Sequence, residues 1–283
     1  MTSPFTLYPK PPNSKDAGFL AALGMQALAV IHQTGGLVRT LMGATAAVFT
    51  PGRAAGSVCR RIAIRQVFFT GFEALPLISA IAAFVGATFV LQVQLLSGAL
   101  NTEMVGRILV AVILRELAPL VTAIVIAGRS GTAIATELGN MKVNDEILGL
   151  ASLGIDPMRF IVMPRMLGCV VSVLVLTVYF GAVAIMAGYL VGVAMGGGGV
   201  GNMGAGFTEA LVPADLPLFL VKGLGLGTLV GWLCCHFGLE AEGSPTEVPK
   251  RASHAVVMSL LACVAYNAMI TLGFYWTVGP PVR

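Results

Sequence analysis

Residues Leu114–Arg165 read LRELAPLVTAIVIAGRSGTAIATELGNMKVNDEILGLASLGIDPMRFIVMPR. The stretch opens with Arg115-Glu116 inside an otherwise apolar run. It leaves that run at Gly128-Arg129-Ser130-Gly131, passes through a short polar helix, and becomes apolar again after Pro164-Arg165. This pattern reads as a membrane hairpin with a polar helix at its tip.

The composition agrees. Of 283 residues, 57% are hydrophobic and 11% charged, with a mean hydropathy of +0.89. Soluble domains carry about 25% charged residues, so the fold class expected is all-α integral membrane. The formal net charge of +4 is dispersed and lacks aromatic interleaving, which argues against a nucleic-acid partner. Cys59, Cys169, Cys234, Cys235 and Cys263 form no CxxC pair, so neither a disulfide nor a metal is expected; in apolar runs they act as small hydrophobes. His32, His236 and His254 share no ligand spacing and read as core or interfacial residues.

Runs of roughly 20 apolar residues cross a bilayer. Five such spans are expected at about 74–96, 108–128, 166–195, 216–239 and 255–278, with a tip helix at about 143–154. Residues 1–16 read as a flexible tail without a signal peptide. Residues 17–72 read as an amphipathic interfacial (elbow) region, and 73–283 as the transmembrane domain. Within the elbow, Gln26, Gln33 and Thr40 recur every seven residues with basic residues on both sides; a helix in the interface satisfies this, and an additional span is the alternative. Of the 17 Lys and Arg residues, 13 fall on the side of the amino terminus and the hairpin tip, which makes that side cytoplasmic. Small residues recur every four positions in Ala184-Gly188-Gly192-Gly196 and Gly223-Gly227-Gly231; they serve either packing within one subunit or a seam between two copies.

Arg115 and Glu116 are the residues most in need of explanation. An Arg at the bilayer centre costs on the order of 3 kcal/mol. Neighbours on a helix point about 100° apart, so each needs another partner, a polar cavity or a ligand. Pro119 deprives the Arg115 carbonyl of its helical donor. The pair is either a binding site or a structural ion pair. At the tip, Asn144 can cap a helix carrying Asp145 and Glu146 at its start and Gly154 at its end, followed by an Asp156-Pro157 turn. That helix either docks into a soluble partner or lies on the membrane. No Gly-Lys dipeptide occurs, so a GxxxxGK[ST] phosphate loop is absent and any ATP is bound elsewhere. No catalytic Ser/His/Asp set is visible, and the chain does not read as an enzyme.

AGRSGTAIATELGNMKVNDEILGLASLGIDPMRFIVMPR resembles the signature of the MlaE-like permeases, the membrane subunits of MCE-type ABC lipid transporters. LRELAPLVTA and FVGATFVLQ (Phe84–Gln92) fit the same family, and the resemblance covers roughly residues 65–275. It implies a homodimer of five-span subunits in the inner membrane, amino terminus cytoplasmic. The chain would move phospholipid or a related lipid between that membrane and a periplasmic MCE-domain protein, a process linked to outer-membrane lipid asymmetry. An ABC ATPase subunit, which binds the ATP, would supply the power; a small cytoplasmic STAS-type subunit is a further partner. No cofactor is expected on this chain. The resemblance places Arg115 and Glu116 beside the lipid, with Gln92, Leu91 and Leu95 along the acyl chains. It assigns Glu137, Asp145, Glu146, Leu150, Gly154 and Asp156 to ATPase coupling. The chain departs from the family at Leu148, where an acid is frequent, and at Pro249, where Gly is common. A motor-independent lipid scramblase, or a membrane scaffold of an envelope complex, is the alternative reading.

Overall fold

The computed structural model describes residues 56–96, 108, 111–194, 215–241 and 244–278, which are helical apart from short turns. Helix α1 (Gly56–Gly71) runs through a 3-10 turn at Phe72–Ala74 into α2 (Leu75–Leu96). Then come α3 (Ile113–Val143), the short α4 (Glu146–Ser152), α5 (Met158–Ala194), α6 (Asp215–Leu239) and α7 (Glu247–Val278). Five stretches are long and apolar enough to cross a membrane: Arg60–Val93, Ile113–Val143, Met158–Ala194, Pro217–Leu239 and Glu247–Phe274. Their number is the five expected, although the first begins at Arg60, within the stretch read as the elbow, and the third and fifth begin earlier in the chain than the apolar runs do. The proposed tail and most of the elbow region, with His32, lie outside the described residues.

Helix α5 is the central post, against which α1, α2, α3 and α6 pack. Small residues on the helices around it allow this. Gly86 of α2 crosses so close that a Cβ there would fall inside the Ala184 carbonyl. Along α6, Gly223, Gly227 and Gly231 meet Leu174, Val170 and Met166 of α5. One series rises by four as the other falls by four, which is the register of two antiparallel helices in close contact. The α6 stripe therefore packs within the subunit. The faces left exposed carry Val171, Val175, Met186, Leu190, Leu261 and Leu272, as lipid-facing surfaces should.

The second span differs from expectation. Gly128-Arg129-Ser130-Gly131 does not end it. The helix passes through these residues as a π-helical turn (Ala127–Gly131) and continues to Val143. Tertiary contacts carry it across: a Cβ on Gly131 would lie 2.6 Å from Cys234 Sγ, so α6 sits tightly against the turn. Arg129 reaches sideways to Glu73 at 2.5 Å. Two other π turns, Ile113–Leu117 and Met158–Val162, each end two residues before a proline, Pro119 and Pro164. In each, the intervening residue (Ala118 or Met163) donates its N–H five residues back. A proline ring in a regular helix clashes with the carbonyl four residues earlier. One extra residue in the turn relieves that clash, so both helices stay continuous.

Candidate functional site

The first π turn of α3 presents the Arg115 carbonyl and the Glu116 carboxylate to α6, and the carboxylate also to α7. Lys222 of α6, fully buried, fills the space between them. Its ammonium donates to the Arg115 carbonyl at 2.7 Å, to Glu116 Oε1 at 3.0 Å and to Thr271 Oγ1 at 2.7 Å. An ammonium has three protons, so every one is used. The carbonyl stripped of its donor by Pro119 is thus satisfied by a lysine from another span.

Glu116 is held from the other side by α7. Asn267 Nδ2 donates to Oε2 at 3.0 Å. The Thr271 hydroxyl lies 2.9 and 3.0 Å from the two carboxylate oxygens and 2.9 Å from the Asn267 carbonyl. Asn267 and Thr271 are four residues apart, hence on one face. Next to them the Tyr266 hydroxyl donates to the Val221 carbonyl at 2.9 Å, and Gly225 leaves room for its ring. Three spans are therefore pinned at one depth. The Glu116 side chain keeps 28% exposure while that of Lys222 keeps 1%. The cluster is open on the carboxylate side and closed on the ammonium side.

Gln92 lies elsewhere. With Phe84, Val85, Thr88 and Phe89 it lines a groove of about 300 Å³ along one face of α2. Among the described residues it makes no hydrogen bond to the Glu116 cluster. Leu91 is half-buried, and the side chain of Leu95 lies outside the described residues.

At the tip, Asn144 does not cap α4. It ends α3, and Asp145 occupies the cap position in a left-handed conformation (φ 57°) with no side-chain capping bond. The tight reversal between two helices needs a residue at positive φ, and Asp tolerates this better than most. Ile147 is buried against the core. Glu146, Leu148, Leu153 and Ile155 are exposed and Leu150 is half-buried. Gly154 (φ +75°) ends the helix as expected: its N–H bonds the Ala151 carbonyl at 3.0 Å, and that of Ile155 bonds the Leu150 carbonyl at 3.1 Å.

Glu137 and Asp156 both have local partners. Glu137 pairs with the buried Arg165 at 2.8 Å, tying α3 to α5. Asp156 accepts the Met158 N–H at 3.0 Å and pairs with Arg159 at 3.4 Å, capping α5. At the same end, Glu240 joins His236 (3.2 Å) and Arg251 (3.0 Å), linking α6 to α7. Pro249 falls in the first turn of α7, where a missing N–H costs nothing. Cys169, Cys234, Cys235 and Cys263 are buried among the spans with free thiols.

A charged pair on the second span met by a lysine on the fourth, above a tip helix with an apolar outer face, sets the pattern for comparison. The model of the permease family MlaE matches residues 63–272, all five spans. This chain belongs to the MlaE permease family. A probable ABC transporter permease of Synechocystis is 32% identical over 222 residues, covering 76% of this chain and 82% of the relative. Another from Rickettsia conorii is 29% identical over 214 residues, 75% and 82% of the two chains. The intermembrane phospholipid transport system permease protein MlaE of Haemophilus influenzae is 28% identical over 211 residues, 74% and 80%. Within this MlaE-family chain, reading the sequence missed Lys222, Asn267 and Thr271 as members of the site. Lys222 carried a usable signal, since a cation within a span marks function or a buried partner. Asn267 and Thr271 carried none beyond their spacing.

Proposed function

We propose that this chain is the permease subunit of an ABC transporter that moves phospholipid or a related lipid between the inner membrane and a periplasmic MCE-domain protein. Power comes from a separate ATPase subunit. The amino terminus and α4 face the cytoplasm, and two copies of the chain form the pathway. The supporting observation is the tip: Ile147 anchors α4 in the core, while Leu148, Leu153 and Ile155 are presented outward beside Glu146. Exposed leucines at a polar end of the molecule suit a groove on a soluble partner. Asp145 and Gly154 set the position of that helix. Glu137 and Asp156 act through the ion pairs that brace its two flanks.

Near the ends of the spans away from α4, Arg115 contacts the anionic head group, for which a guanidinium supplies paired donors. Glu116 lies beside it, oriented by Lys222, Asn267 and Thr271. The α2 groove at Gln92, with Leu91 and Leu95 on the same helix, takes the acyl chains. Co-purification tests the motor contact. Leu148→Asp with Leu153→Asp should release the ATPase, and Arg115→Ala should retain it. An ATPase that stays bound to the double variant, or never binds the wild type, contradicts the coupling role. Lipid mixing without ATP would then favour a scramblase.

A further inference from the structure

We propose that the exposed face of α1 binds the phosphate head group of an anionic phospholipid, at a site separate from Arg115 and the α2 groove. Arg60, Arg61 and Arg65 are exposed along its first turns. Ile64, Phe68 and Phe72 continue the same face at helical spacing and are also exposed. The rings of Phe68 and Phe72 are stacked at 4.9 Å, making a flat apolar wall below the guanidinium groups. The opposite face of α1 is fixed on α5. Gln66 packs so tightly on Gly168 that a Cβ there would lie 2.4 Å from its Cγ, and Ser172 donates to the Val67 carbonyl at 3.4 Å. The helix cannot roll to bury its arginines.

Charge pairing sets these three apart from the other described arginines at this end. At the same end of the molecule Arg129 has Glu73, Arg159 has Asp156, Arg165 has Glu137 and Arg251 has Glu240. Among the described residues no carboxylate pairs with Arg60, Arg61 or Arg65. Among the described residues nothing supplies that anion, and a surrounding lipid can. Depth says which anion. The stretch Arg60–Val93 has 34 residues, about 50 Å of helix at 1.5 Å per residue. A bilayer core is about 30 Å thick and 40–45 Å with its head groups, so the first turns lie among lipid phosphates. Phe68 and Phe72 then reach the acyl boundary one to three turns deeper. Arg129 fixes the side: it donates to the Phe69 carbonyl as well as pairing with Glu73, so this leaflet is the one on the α4 side. An amphiphile with an anionic head and apolar chains fills both halves of the face, whereas inorganic phosphate would use the arginines alone.

The test uses the full chain in nanodiscs of mixed phosphatidylglycerol and phosphatidylcholine, with retained lipid counted by native mass spectrometry. The wild type should retain phosphatidylglycerol in preference, by roughly fivefold for each arginine at the surface. The R60Q/R61Q/R65Q variant should lose the preference, and R60K/R61K/R65K should keep most of it. F68A/F72A should lower retention with the arginines intact, and millimolar inorganic phosphate should not displace the lipid. Should the triple variant fold poorly, R60Q and R61Q read singly against the same lipid ratio. A wild-type ratio in the glutamine variants overturns the site, and displacement by free phosphate overturns the assignment to lipid.

Discussion

Replacing Lys222 by Met tests the polar cluster most severely. The substitution keeps the length of the side chain and removes the ammonium. It leaves the Glu116 carboxylate without its cation and the Arg115 carbonyl without the donor that replaces the missing N–H of Pro119. Removing one partner of a buried pair costs about 3–5 kcal/mol, and an orphaned buried carbonyl about 1–3 kcal/mol. Asn267 and Thr271 still donate to Glu116, and its side chain is 28% exposed, so the lower part of that range applies. A loss of about 3 kcal/mol corresponds to a Tm lower by on the order of 10 °C. Glu116→Gln with Lys222→Met removes both charges while keeping the shape, and should recover most of the loss. Thermal unfolding of the four proteins in detergent gives the double-mutant cycle, with an expected coupling of at least about 2 kcal/mol. A Lys222→Met protein within about 0.5 kcal/mol of wild type, or strictly additive substitutions, would refute the pinning of three spans at this point.

Further outcomes follow from neighbouring contacts. Thr271→Val removes an acceptor of Lys222 and a donor to Glu116, and should cost about 1–3 kcal/mol by the same unfolding assay; Thr271→Ser should restore nearly all of it. Gly227→Leu forces a Cβ to 2.6 Å from the Val170 backbone and should lower yield and Tm, since overpacking costs about 1–3 kcal/mol or more. Gly128→Ala meets no atom within 4 Å and should be neutral or stabilising by up to about 1 kcal/mol. Leu148→Asp should leave the Tm unchanged and weaken ATPase co-purification, whereas Ile147→Asp, at a buried position, should lower the Tm as well.

The five spans were legible because each is a long apolar run and because basic residues mark one side. The end of α4 was legible because Gly154 has the backbone freedom that a positive φ requires. The continuation of α3 through Gly128–Gly131 was not: two glycines and an arginine weaken a helix locally, and tertiary contacts such as that with Cys234 and the pairing of Arg129 with Glu73 hold it together. Asn144 suited the cap by residue type, but the tight corner shifted the role to Asp145. The orphaned Arg115 carbonyl could be inferred from Pro119, while its donor lay 107 residues away on α6. Local sequence reports what a group lacks; the fold decides which distant residue supplies it.

The most direct measurement is lipid transfer in proteoliposomes holding this chain with the proposed ATPase and MCE-domain partners, followed with labelled phospholipid. Transfer should require ATP hydrolysis, and Arg115→Ala should abolish it with the ATPase still attached. Movement of lipid at the wild-type rate without ATP, or through the Arg115→Ala protein, would contradict a motor-driven path past that arginine.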